Sequence, residues 1–182
     1  MHRRILAGVS LAASLFVATA GLARAEEFTA KLAGFNEVGG LGAGETGAIM
    51  SAGTATVKLD LDRTAQTLTY TLTYSGLSAN ILQSHIHFGK VHTAGGIIVF
   101  FCSNLGNGPA GTPGCPLPAG TVSGTLSPAS VVGPTAQAIT AGDWAGLVAA
   151  LSSNTAYANI HTANFPAGEV RGQVVRAEHD DE

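Results

Sequence analysis

The chain has 182 residues, 46% of them hydrophobic and only 12% charged, with nine Lys and Arg against twelve Asp and Glu and a net charge of −3. The few basic residues are scattered and form no patch for a polyanion, which excludes nucleic-acid binding. Thr, Ser, Gly and Ala are abundant, a composition that suits a small-residue β protein outside the cytoplasm better than a helical enzyme.

Residues 1–25 read as a secretory leader rather than part of the fold. Met1-His2-Arg3-Arg4 is basic, Ile5 to Ala20 is apolar and uncharged, and Ala23-Arg24-Ala25 fits a small-x-small cleavage site before Glu26. No later segment reaches the roughly 18 uncharged apolar residues of a membrane span, so no transmembrane anchor is expected after cleavage. Loss of the leader removes three basic residues and no acids, leaving a net charge of about −6. The mature chain is long enough for one domain with a real core, expected over residues 26–176, with an acidic tail at 177–182. No internal repeat is visible.

In chain order, Phe28 to Leu32 alternates as a first strand. A Gly-rich loop follows from Asn36 to Ser51. Within it Gly42-Ala43-Gly44-Glu45-Thr46-Gly47 matches G-x-G-x-x-G, but the flanking strand and helix of a dinucleotide site are missing. Thr54 to Leu61 and Thr67 to Tyr74 alternate strictly, with Asp62 to Gln66 as the turn between them. They predict a half-buried antiparallel hairpin with Val57, Leu59, Leu68, Tyr70 and Leu72 inward and threonines outward.

A strand is expected around Gln83-Ser84-His85-Ile86-His87-Phe88. Ile97 to Phe101 is continuously apolar and reads as a strand buried on both faces. Cys102 and Cys115, the two cysteines of the chain, predict a disulfide across a Gly/Pro-rich loop; their spacing is not that of a CxxC redox pair. Thr121 to Leu126 is a short strand. Trp144, Leu147, Val148 and Leu151 lie at helical spacing, with Thr140 or Asp143 as N-cap. Tyr157 to Thr162 and Glu169 to Arg176 are the last strands, joined by a turn at 164–168. Many short strands with regular turns predict an all-β antiparallel sandwich, immunoglobulin-like or superoxide-dismutase-like, with one short helix.

The ordered pieces Phe28-x-Ala30-x-Leu32-x-Gly34, Asn36-Glu37-Val38, Ala52-Gly53-Thr54-Ala55, Ser75-Gly76-Leu77, His85-Ile86-His87, Asn159-Ile160-His161-Thr162 and Pro166-x-Gly168-Glu169-Val170-Arg171-Gly172-Gln173 resemble the CHRD (chordin) domain of bacterial exported proteins. The resemblance spans almost the whole mature chain. The departures are Gly39-Gly40, the insertion-like Lys90-Val91-His92 and the disulfide loop. It implies a compact β domain outside the cytoplasm and no defined activity. A looser resemblance, to copper/zinc superoxide dismutase, covers His85, His87, His161 and Arg171. The further ligands of that family's zinc loop have no counterpart beyond His92.

Period-2 geometry puts His85 and His87 on one strand face. Three neutral imidazoles from His85, His87 and His161 suit Cu or Zn and leave a fourth position for water. Tyr157 and Asn159 share the face of His161 and are expected to support it, as are Glu169 and Arg171 on the last strand. The competing reading, which the sequence alone favours, is a hydrogen-bonded network that locks the sandwich, with Glu169 and Arg171 as an ion pair. No nucleophile–base arrangement is apparent. The expected function is therefore that of a non-enzymatic binding or structural module, its partner an extracytoplasmic protein or matrix component. The alternative is a Cu/Zn protein with weak redox activity.

Overall fold

The computed structural model describes residues 26–38 and 47–178. The expected leader, most of the G-x-G-x-x-G segment and the end of the acidic tail lie outside these residues. Among the described residues nine strands form one antiparallel sheet: β1 (Glu26–Ala33), β2 (Thr54–Asp62), β3 (Thr67–Ser75), β4 (Ile81–Phe88), β5 (Ile97–Ser103), β6 (Gly120–Leu126), β7 (Ala156–Thr162), β8 (Val170–Gln173) and β9 (Val175–Arg176). The strand order is β5-β4-β7-β8-β1-β2-β3-β6, with β9 added beside β1.

The predicted hairpin is β2–β3, in register from Thr54↔Ser75 to Asp62↔Thr67. Its alternate apolar residues are buried and the polar ones between them exposed, apart from the half-buried Thr67 and Thr71. Asp62 closes the turn by accepting from the amides of Thr64 and Ala65, both at 2.8 Å. On the outer face Thr71 and Thr73 meet Ser123 and Thr121 of β6 at 3.1 and 2.9 Å, extending the threonine ladder across three strands.

The sheet curls until its ends approach, giving a nearly closed all-β barrel or sandwich. The Tyr70 hydroxyl of β3 donates to the Phe101 carbonyl of β5 at 2.6 Å, and the two rings lie 4.9 Å apart. One apolar cluster fills the interior, including Phe28, Leu59, Leu72, Ile86, Phe101, Leu147 and Ile160. Helix α1 (Trp144–Ser152) is capped by Asp143, whose carboxylate accepts from the Gly146 amide at 2.9 Å. It buries Trp144, Leu147, Val148, Ala150 and Leu151.

The last predicted strand is split. β8 pairs with β7, and after Val174 the chain shifts to pair as β9 with β1. At Gly172 a Cβ would come within 2.2 Å of the Lys31 carbonyl of β1, so only glycine permits this approach. Among the described residues no helix is long and apolar enough to cross a membrane.

Cys102 and Cys115 form the expected disulfide, with Cα atoms 5.1 Å apart and 13 residues of separation. Loop closure of this length contributes roughly 3 kcal/mol in the chain-entropy account. The double variant Cys102→Ala/Cys115→Ala is expected to remain folded and lose about 2–3 kcal/mol in urea titration. Free-thiol titration of the unfolded, unreduced protein should find no reactive thiol.

Candidate metal centre

β4 and β7 lie in the middle of one half of the sheet and are covered on both faces. Their register pairs His85 with Asn159, His87 with Tyr157 and Gln83 with His161. Ile86, Ala158 and Ile160 therefore face the apolar interior, while His85, His87, Tyr157, Asn159 and His161 share the opposite face. That face is not open to solvent. His85 is completely buried, and His87, His161, Asn159 and Tyr157 are all buried.

The three imidazoles converge. Ring centroids of His85 lie 5.2 Å from His87 and 5.0 Å from His161, and those of His87 and His161 are 6.1 Å apart. One nitrogen of each ring lies within 4.8 Å of the others. Three ligands at about 2.0–2.1 Å from one ion sit roughly 3.4–3.6 Å apart, so the rings need to close by about 1 Å.

Hydrogen bonding fixes which nitrogens point inward. His87 Nδ1 lies 2.9 Å from the Gly95 carbonyl and His161 Nδ1 lies 2.8 Å from the Pro166 carbonyl. A carbonyl only accepts, so both Nδ1 atoms carry the proton and both Nε2 atoms present a lone pair. Among the described residues His87 Nε2 lies outside hydrogen-bond distance of any partner, although the Asn159 side chain is near enough to act on the ring. His161 Nε2 lies 3.1 Å from Asn159 Oδ1, acceptor against acceptor, and an apoprotein relieves this by turning the amide so that its NH2 faces the ring. Neither nitrogen of His85 has a partner among the described residues.

Burial holds all three rings neutral. Desolvation, with His161 and His87 adding to it, brings His85 down to about 2. Desolvation brings His87 to about 4 despite the opposing bond from Gly95, and it lowers His161 against the opposing bond from Pro166. Neutral imidazole is the ligand form.

A wall and a roof enclose the cluster. The Phe100 ring meets His85 edge-on at 4.4 Å. Tyr157 stacks on His87 at 4.8 Å with planes 4° apart, and the Arg171 guanidinium lies 3.4 Å from the centre of the Tyr157 ring. Arg171 Nη2 then donates to the carbonyls of Lys90 and Thr93 at 3.1 and 2.8 Å. The Tyr157 hydroxyl bonds Gly95. The insertion-like segment at Lys90-Val91-His92 is thus part of the roof. His92 itself is exposed, at a φ of 62°, and stands outside the histidine cluster.

One expected neighbour is elsewhere. Glu169 precedes β8 and does not continue the row of Arg171 and Gln173. Its fully buried carboxylate accepts from Ser51 Oγ at 2.5 Å, Ser78 N and Oγ at 2.8 Å each and Thr162 Oγ1 at 2.6 Å. Burial pushes this carboxyl up, but the bonds from Ser51, Thr162 and Ser78 outweigh it and hold it below its usual value. Glu169 therefore ties three loops and strands together, and the anticipated Glu169–Arg171 ion pair is absent from the described residues. Gly95, Pro166 and Phe100 carried no sequence signal as site residues. Two act through backbone carbonyls and the third through ring placement.

The chain matches the CHRD domain family over residues 28–174, and it belongs to that family. The match begins in β1, ends just after β8 and contains His85, His87 and His161. No curated protein matches the chain.

The histidines make the apoprotein acid-sensitive. In the unfolded chain they protonate near 6.5, whereas in the folded chain His87 resists until about 4 and His85 until about 2. Between these values the unfolded state binds more protons, so stability falls as pH falls below about 6.5. His87 alone accounts for roughly 3 kcal/mol of loss by pH 4. Urea titrations of metal-free protein at pH 7.5, 5.5 and 4 should show this decline, and His87→Phe should make it shallower without abolishing it, because His85 and His161 still resist protonation.

Proposed function

We propose that this CHRD domain is a non-enzymatic module acting outside the cytoplasm, and that it holds one copper or zinc ion on His85, His87 and His161. The observation that carries the metal reading is the state of His85. A structural histidine locks a fold by spending its nitrogens on carbonyls or hydroxyls. His85 is fully buried with both nitrogens unpaired, at a cost of about 1–3 kcal/mol for each unmade bond. His87 and His161 are already oriented with Nε2 toward it by carbonyls behind them, the arrangement that sets a ligand's tautomer and aim. A bound ion would satisfy all three rings at once.

Burial of every ring, with the segment 89–95 fastened to His87, Tyr157 and Arg171, favours holding an ion over turning over a substrate. The disulfide and the leader-like residues 1–25 support export. The threonine face of β2, β3 and β6 is the surface available to a protein or matrix partner.

Metal analysis of protein purified from the export compartment, then supplied with micromolar Cu or Zn, tests the reading. One ion per chain is expected, falling to background in His85→Ala and in His161→Ala. Metal at 100 times its dissociation constant should stabilise the wild type by about 2.7 kcal/mol and leave both variants unmoved. A metal-free wild type whose stability drops in both variants would return the histidines to a packing role.

A further inference from the structure

Among the described residues, the cluster that could hold an ion consists of imidazoles alone, with no carboxylate and no thiolate. This composition bears on the charge of the ion. Moving an ion from water into a buried site costs a Born energy that grows with the square of its charge, about four times more for a divalent than for a monovalent ion. Centres for divalent ions offset that cost with an anionic ligand, or with a bound water that ionises and is itself hydrogen-bonded.

Neither offset is prominent here. Glu169 is engaged by Ser51, Ser78 and Thr162. The carboxylate of Glu37 acts on Arg171 and Tyr157. The charged side chain that acts on His87 is Arg171, a cation held 3.4 Å from the Tyr157 ring that stacks on His87. The walls are aromatic, with the ring centroids of Phe100 and His85 4.4 Å apart and their planes nearly perpendicular. Asn159 is the neutral polar group beside the rings. Such a site stabilises a low-charge ion that is content with three nitrogen ligands.

We propose that the three-histidine centre is selective for monovalent copper, Cu(I), over Zn(II). This rests on the metal-centre reading above and deepens it. Cu(I) accepts a three-coordinate imidazole shell, needs no ionised water and brings a single charge into the enclosure. Zn(II) in the same shell would bring two charges and call for a fourth donor.

Anaerobic competition on the purified mature chain tests this, with Cu(I) buffered by bicinchoninate and Zn(II) buffered by a chromophoric chelator. The expected result is one Cu(I) per chain at an affinity about 100-fold or more above that for Zn(II). The copper X-ray absorption edge should be that of a three-coordinate cuprous ion. Zn(II) held as tightly as Cu(I), or more tightly, overturns the proposal and leaves the metal centre standing. Failure of both ions to bind overturns the proposal and the metal centre together. Asn159→Asp places a carboxylate beside His161 and separates charge from other causes. It is expected to narrow the Cu(I)/Zn(II) ratio by about tenfold or more. An unchanged ratio in an Asn159→Asp protein of wild-type near-UV circular dichroism overturns the charge argument.

Discussion

The antiparallel pairing of β4 with β7 is the constraint on which the rest of this structure depends. Side chains alternate across a strand, so one register brings His85, His87 and His161 to a common face, and a slip of one residue on β4 would send two of them, and on β7 one, into the apolar interior. The register is held from behind by the core, where Ile86, Ala158 and Ile160 are fully buried. Hydrophobic packing on one side of these strands thus determines the chemistry available on the other.

A second layer of organisation works through backbone carbonyls. Gly95 and Pro166 lie in different loops, and the carbonyl of each accepts a hydrogen bond from Nδ1 of one histidine. The loops are in turn fastened from the sheet. Arg171 grips the carbonyls of Lys90 and Thr93, Tyr157 bonds Gly95, and the buried carboxylate of Glu169 gathers Ser51, Ser78 and Thr162. Aromatic stacking from His87 through Tyr157 to Arg171 couples the roof to the site. Among the described residues both nitrogens of His85 and Nε2 of His87 are buried without a partner, as are Arg171 Nη1 and Gln173 Oε1, and His85 stands apart in having neither of its polar atoms bonded.

Period-2 patterning was enough to place the β2–β3 hairpin, because one face of that pair is buried and the other is wet. It also placed His85 and His87 on one face, although β4 is irregular against β5 at Ser84/His85 and Ile86/His87. The N-cap at Asp143, the helix after it and the Cys102–Cys115 bridge followed from local spacing and residue chemistry. Glu169 was misplaced because the strand periodicity assumed for Glu169 to Arg176 begins only at Val170. The roof was read as an insertion, since carbonyls accepting from Arg171 leave no mark on the side chains of Lys90 and Thr93.

By itself the sequence determined an all-β domain, its hairpin, its helix, its disulfide and the three candidate histidines, because alternation, capping and cysteine pairing act over a few residues or through one covalent bond. Only the tertiary structure decided that these histidines meet with the nitrogens of His85 and Nε2 of His87 unspent, that among the described residues no carboxylate joins them, and that the segment 89–95 is fastened over the Tyr157–His87 stack. Those outcomes depend on contacts between segments more than 70 residues apart, such as Ser84 with Asn159 and Arg171 with Thr93, and burial sets their energies.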